Sequence, residues 1–236
     1  MRKLKIHSSG TELIGESASE HTDFLLLHAG GERKTVWRPV QERLAVAGYG
    51  AVAFDQRGHG ESGGSVADGV EALGQDAVEM SAAFPTAKVL VGGSLGGLAA
   101  LFAAANSDQT RLAGLVMVDV TPAPDPERSV SYLQGQGGNL ANSPLVASIL
   151  SQRNRFEAAA RRLELPVLLV RAGPTSPITD AQVAHFRSLC PQLRVALIDR
   201  ATHLIARDAP IELADTLIDF IQSTDVSTRR LSAAVA

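Results

Sequence analysis

With one cysteine, Cys190, among 236 residues, the chain cannot close an internal disulfide. It also lacks any apolar run near the roughly 18 residues that a membrane span requires. The opening stretch, MRKLKIHSSGTELIGE, carries basic residues but no apolar core long enough for a signal peptide. Together these absences predict a soluble, reduced, cytoplasmic protein. Nor is there a block of one charge sign: 22 basic and 25 acidic residues leave a net charge of −3. No basic patch therefore favours nucleic acid or an anionic membrane. His, Cys and carboxylate residues do not recur at metal-ligand spacing. The stretch GGSLGG lacks the Lys and Ser or Thr of a phosphate-binding loop. No cofactor and no metal are expected. The expected partner is a small-molecule substrate, and a homodimer is the one macromolecular assembly the sequence leaves open.

What is present is a chain 45% hydrophobic, enough for one domain to build a full core without metal or disulfide help. Apolar runs of strand length, at 24–30, 50–56, 87–93, 113–120, 165–173 and 193–200, alternate with helical segments at 37–48, 70–84, 95–107, 179–190 and 209–223. That alternation predicts an α/β fold with a mostly parallel sheet and helices on both faces. KLKIHSSGTELIGES predicts a short hairpin at the sheet edge. In the last helical segment Leu213, Leu217 and Phe220 recur at helical spacing, leaving Glu212, Asp215 and Asp219 for solvent. Between residues 121 and 163 the alternation stops, with TPAPDPERSV, GQGGN and only weak helical pieces such as LVASILSQ. Its position between two core strands predicts a small lid insertion over their carboxyl ends, where open α/β sheets bind ligands. The core is expected over 1–120 and 164–223, and a mobile tail over 224–236.

The stretch VLVGGSLGG, residues 89–97, sets a buried strand against glycines surrounding Ser94, and LAALFAAAN continues it as a helix. Ser94 therefore stands where strand turns into helix. GGSLG fits the pattern G-x-S-x-G, in which the residues two positions from the serine must be small because the turn brings them into contact. The helix start aims free backbone N–H groups at the same place, where they favour developing negative charge.

Several separate stretches then agree. LLLHAGGERKTVWRPV, VAFDQRGHGES, VLVGGSLGGLAALFAA, GLVMVDVTP and RATHLIARDAPIELADTLIDFI, in that order, resemble the α/β-hydrolase superfamily over nearly the whole chain. The resemblance implies that Ser94 is the nucleophile and His203, in the loop before the last helix, its base; an unaided serine hydroxyl needs such a base. Of the other histidines, His28 holds the place that organises the loop after its strand, and His59 lies in a structural turn. His7, His21 and His185 suit surface or packing roles. An acyl-transfer site needs two N–H donors for the oxyanion. The backbone of Leu95 supplies one, and the resemblance assigns the second to Gly30. Ala29 departs from the usual residue of the family, and Gly30, Gly31 and Gly93 predict an open space near the reacting carbon.

The resemblance places the acid that orients the histidine after the strand LPVLLVRAG, but this chain reads AGPTSPITD, with Pro177 where an aspartate is usual. Asp119, at the end of VMVDV, is the favoured substitute; Asp180 is the second, though ITD also reads as a helix cap; no working acid is the third alternative. Arg57 and Asp55 resemble the turn-stabilising pair of the family, and Trp37 is expected in the core. Arg153, Arg155, Arg161 and Arg162 fit either an anion-attracting lid or a solvated helix face. The resemblance implies a cofactor-independent serine hydrolase of a small carboxylic ester or lactone. Related chemistry on the same fold, such as C–C bond hydrolysis, lyase, cyclase or perhydrolase activity, and a non-catalytic small-molecule-binding protein are the alternatives.

Overall fold

A computed structural model describes residues 1–135 and 143–234, with side chains as far as residue 224. Most of GQGGN therefore lies outside the described residues, as do the side chains of the expected tail beyond Thr224. The chain opens with the antiparallel hairpin β1 (Arg2–Ser8) and β2 (Thr11–Ser17), at the sheet edge as expected. Six strands follow: β3 (Phe24–Leu27), β4 (Ala51–Phe54), β5 (Val89–Gly93), β6 (Gly114–Val118), β7 (Val167–Ala172) and β8 (Leu193–Ile198). The eight form one sheet in the order β1-β2-β4-β3-β5-β6-β7-β8, and from β4 to β8 all neighbours run parallel.

Parallel central strands are buried on both faces, which explains their continuous apolar runs. In β3, Phe24 and Leu26 pack into one core layer and Leu25 and Leu27 into the other. The first layer is covered by α1 (Arg38–Val46), α8 (Ile205–Asp208) and α9 (Pro210–Ala234). Leu213, Leu217 and Phe220 of α9 lie in it together with Trp37, all essentially inaccessible. Each such side chain contributes roughly 1.5–3 kcal/mol by leaving water. The second layer is covered by α2 (Gly69–Ala83), α3 (Leu95–Asn106) and α7 (Asp180–Leu189).

The region 121–163 is more helical than its composition suggests. It forms α4 (Pro126–Gly135), α5 (Pro144–Ser151) and α6 (Arg153–Arg161). α4 buries no side chain and α5 buries only Leu145. α6 differs: Phe156, Ala159 and Ala160 join the second core layer. Its arginines point elsewhere than to a ligand. Arg153 and Arg161 both pair with Glu157, Arg155 pairs with Glu71, and Arg162 donates to Asn106 Oδ1 at 3.4 Å. They form a solvated, ion-paired helix face. At the chain end, α9 carries its backbone on as helix to Ala234, past the 223 expected from the sequence.

Candidate active site

The carboxyl ends of β3, β5 and β6 converge below α4 and α5 and enclose a cavity of about 550 Å³. Ser94 lines it from the turn between β5 and α3, with φ 47° and ψ −111°, a conformation that costs an ordinary residue free energy. The glycines explain how the turn closes. A Cβ at Gly92 would stand 2.1 Å from the carbonyl oxygen of Gly96, and one at Gly96 would stand 2.3 Å from that of Leu27. Any larger residue at either place would force the backbones apart. The Ser94 N–H donates to Val118 O at 3.0 Å, tying the turn to the end of β6.

Asp119 follows that strand end directly and is likewise strained, with φ 49°. It is fully buried, and each carboxylate oxygen has a partner. Oδ1 accepts from Ala172 N–H at 2.9 Å and from the Ser176 hydroxyl at 2.8 Å. Oδ2 lies 2.8 Å from His203 Nδ1. Because a carboxylate only accepts, Nδ1 carries a proton, and in the neutral ring Nε2 keeps its lone pair. His203, in the loop between β8 and α8, lines the same cavity as Ser94. Among the described residues no hydrogen bond yet joins the Ser94 hydroxyl to the imidazole, a contact that in free enzymes is commonly long and tightens with substrate.

Asp180 is elsewhere. It is the first residue of α7, its side chain 92% exposed and ion-paired with Arg171. The helix cap is Thr179, whose hydroxyl accepts from Gln182 N–H at 3.2 Å while Gln182 Oε1 accepts from Thr179 N–H at 2.9 Å. Pro177 lines the cavity, and its carbonyl accepts from Arg128 Nε at 2.8 Å.

The loop after β3 supplies the opposite wall. Ala29 N–H donates to Glu32 Oε2 at 3.2 Å, Gly31 N–H to His59 Nε2 at 3.2 Å, and Glu32 N–H to Ala29 O at 3.1 Å. Among the described residues the Gly30 N–H has no partner, and neither has the N–H of Leu95, at the start of α3. Gly30 and Leu95 both line the cavity, and a Cβ on Gly30 would lie 3.7 Å from Leu95 Cδ2. Two free donors therefore flank Ser94. Gly31 also lines the cavity, whereas Gly93, expected there, does not. It belongs to β5, against Ala29.

His28 is inaccessible and holds this wall. Its Nδ1–H donates to Ala29 O at 2.7 Å and its Nε2 accepts from Gln56 N–H at 3.0 Å. Burial lowers its pKa to about 4, so it stays neutral. Asp55 and Arg57 are both buried and hold the turn as expected, each through its own partner: Asp55 accepts from Lys34 Nζ at 2.6 Å, while Arg57 clamps Asp76 with two bonds of 2.7 and 2.8 Å. Burial pushes the Asp55 carboxyl up, but the bonds from Lys34 and Glu61 N–H outweigh it and hold it below its ordinary range.

Three cavity residues escaped the sequence reading. Tyr132 of α4 sets its ring edge-to-face against His203, with centroids 4.6 Å apart. Glu32 lies nearby, its carboxyl raised above the usual range by burial. Arg207 of α8 also lines the cavity, its Nε donating to Asp208 at 2.9 Å. The remaining lining is largely apolar, including Leu98, Leu145 and Ile149. Among the described residues no group of three His, Cys, Asp or Glu side chains could hold a metal ion, and no helix is long and apolar enough to cross a membrane.

A strained serine, a buried histidine–carboxylate pair and two free backbone donors thus surround one cavity. The chain belongs to the alpha/beta hydrolase fold family, whose model matches residues 24–141. No curated protein matches it by sequence. Among solved structures it is similar to a putative aryl esterase from Burkholderia cenocepacia, at 21% identity and TM-score 0.75, covering 94% of this chain and 99% of that one. It is also similar to a thermophilic esterase from Thermogutta terrifontis, at 22% identity and TM-score 0.74, covering 95% and 99%. A third is the N-formylmaleamic acid deformylase from Pseudomonas putida S16, at 19% identity and TM-score 0.70, covering 92% and 99%. At such identities the likeness is one of fold.

Proposed function

We propose that this protein is a serine hydrolase that cleaves a small carboxylic ester or lactone through an acyl-enzyme, using only groups of its own chain. The observation that carries this reading is the 2.8 Å contact of His203 Nδ1 with buried Asp119, in the cavity that Ser94 lines. The Ser94 hydroxyl attacks the ester carbonyl carbon and passes its proton to His203 Nε2. Asp119 orients the ring and stabilises the imidazolium. The carbonyl oxygen, now negative, is held by the N–H groups of Gly30 and Leu95. Collapse expels the alcohol, which takes the proton from His203, and water attacks the acyl-enzyme by the same route in reverse.

The apolar lining from Leu98, Leu145 and Ile149 favours an uncharged hydrocarbon group on the substrate. An apolar pocket discriminates size by about 0.8 kcal/mol per buried methylene. A single cysteine, Cys190, which can close no disulfide within the chain, suits a reducing compartment such as the cytoplasm. A non-catalytic binding role loses its support, since that rested on an empty acid position and Asp119 stands against His203.

The test is hydrolysis of p-nitrophenyl butyrate together with labelling by a fluorophosphonate, with Ser94→Ala as control. Turnover and labelling in the native chain, and neither in Ser94→Ala, is the expected result. A folded native chain that does neither overturns the reading.

A further inference from the structure

The Gly30 N–H is free, while the groups on both sides of it are tied down. On one side, Ala29 O shares a peptide plane with that N–H and accepts from His28 Nδ1–H at 2.7 Å. On the other side stands Gly31, with φ 79°, where an added Cβ would meet nothing within 4 Å. Packing does not hold Gly31. Its N–H donates to His59 Nε2 at 3.2 Å, and that hydrogen bond limits rotation of the peptide joining Gly30 to Gly31. A glycine pair is the most freely rotating dipeptide a chain offers, so the anchor matters more here than it would elsewhere.

His59 comes from another part of the chain, the turn after β4. Its Nδ1 lies 2.9 Å from Arg57 O. A carbonyl only accepts and a backbone N–H only donates, so the ring must carry its proton on Nδ1 and offer Nε2 as acceptor. The ring also meets His28 edge-to-face, with centroids 5.0 Å apart. Two imidazoles in contact thus grip the loop on either side of the free donor.

We propose that His59 is a positioning residue of the oxyanion site: as acceptor for Gly31 N–H, it holds the loop so that the Gly30 N–H points into the cavity. This rests on the serine-hydrolase reading. Donors fixed in advance act on charge that develops in the transition state, so losing the anchor lowers kcat and leaves substrate binding nearly unchanged.

The test compares His59→Leu, which fills the space without an acceptor, with His59→Gln, which restores one, in the full chain. For p-nitrophenyl butyrate, His59→Leu is expected to lower kcat by roughly 10- to 100-fold, below the 10²–10³ of deleting a donor outright, with KM changed less than about twofold. His59→Gln is expected to recover most of the loss. Equal losses in both variants, or a change confined to KM, overturn the proposal.

A second readout does not depend on turnover. With ¹⁵N-labelled glycine and histidine, the native chain is expected to show His59 protonated on Nδ1 and a Gly31 amide protected from exchange. That protection should vanish in His59→Leu and persist in His59→Gln. A native His59 protonated on Nε2, or a Gly31 amide indifferent to the substitution, overturns the His59 proposal alone. A chain with the expected amide behaviour that neither hydrolyses the ester nor reacts with the fluorophosphonate overturns the hydrolase reading, and the catalytic half of this one with it.

Discussion

The two walls of the cavity are built by opposite means. The wall formed by the loop after β3 and the turn after β4 is bonded almost atom by atom. Behind it lie the buried pairs of Lys34 with Asp55 and Arg57 with Asp76, all four side chains nearly inaccessible. The facing wall, from α4 and α5, presents Leu133, Leu145, Val146 and Ile149, and few polar bonds anchor it. Those include Arg128 Nε to Pro177 O at 2.8 Å, Gln182 Nε2 to Ala123 O at 3.3 Å and Val70 N–H to Ser148 Oγ at 3.2 Å. The difference follows from what each wall does under the proposed function. Donors for a developing charge must be in place beforehand, whereas an apolar group is recognised by area, which tolerates adjustment. Elements with few buried contacts are also those that open most readily.

Acid should break the bonded wall first. His28 is held neutral by burial, with its pKa lowered to about 4 from the ordinary 6.5, despite the opposing bond to Ala29 O. Between those two values the unfolded chain takes up a proton that the folded chain refuses. The stability from this group is therefore complete above about pH 6.5, falls as the pH drops and levels off below about pH 4. The total loss is on the order of 3 kcal/mol. Urea unfolding at pH 7 and pH 4.5 measures the decline, and the imidazole resonance of His28 assigns it. A His28 that titrates near 6.5 in the folded state contradicts the account.

The apolar wall should respond to substrate instead. Ile149 is half-buried, so Ile149→Ala is expected to change stability by no more than about 1 kcal/mol. It should raise KM for a hexanoate ester by roughly tenfold, and less for an acetate, because a half-buried side chain loses only part of the contact of its three carbon atoms, about 1.4 kcal/mol. Chain-length profiles of KM test this. An equal effect on both esters would remove α5 from the substrate contact.

How far the sequence revealed this site follows the same division. The elbow at Ser94 is legible because its constraints are local: the glycines at 92 and 96 touch each other's turn. The strands are legible because burial on both faces demands continuous apolar runs. α4 was hidden, since its first residues belong to the proline-rich TPAPDPERSV and the helix buries no side chain. Tyr132 on that helix was hidden with it. The structural role of Asp55 and Arg57 was legible, but their partners were not, because folding brings Lys34 to one and Asp76 to the other. Ser176, which supports Asp119 from 57 residues away, carries no signal that a single sequence could reveal.

The contrast between Asp119 and Asp180 is the sharpest point at which the account can fail. Both are carboxylates within reach of the sequence argument. One is buried against His203, and the other is exposed and paired with Arg171. The decisive measurement is kcat for p-nitrophenyl butyrate in Asp119→Asn and Asp180→Asn. The account predicts a loss of about 10⁴ in the first, as the amide favours the wrong imidazole tautomer, and almost no change in the second. Equal effects, or a larger loss in Asp180→Asn, would contradict it.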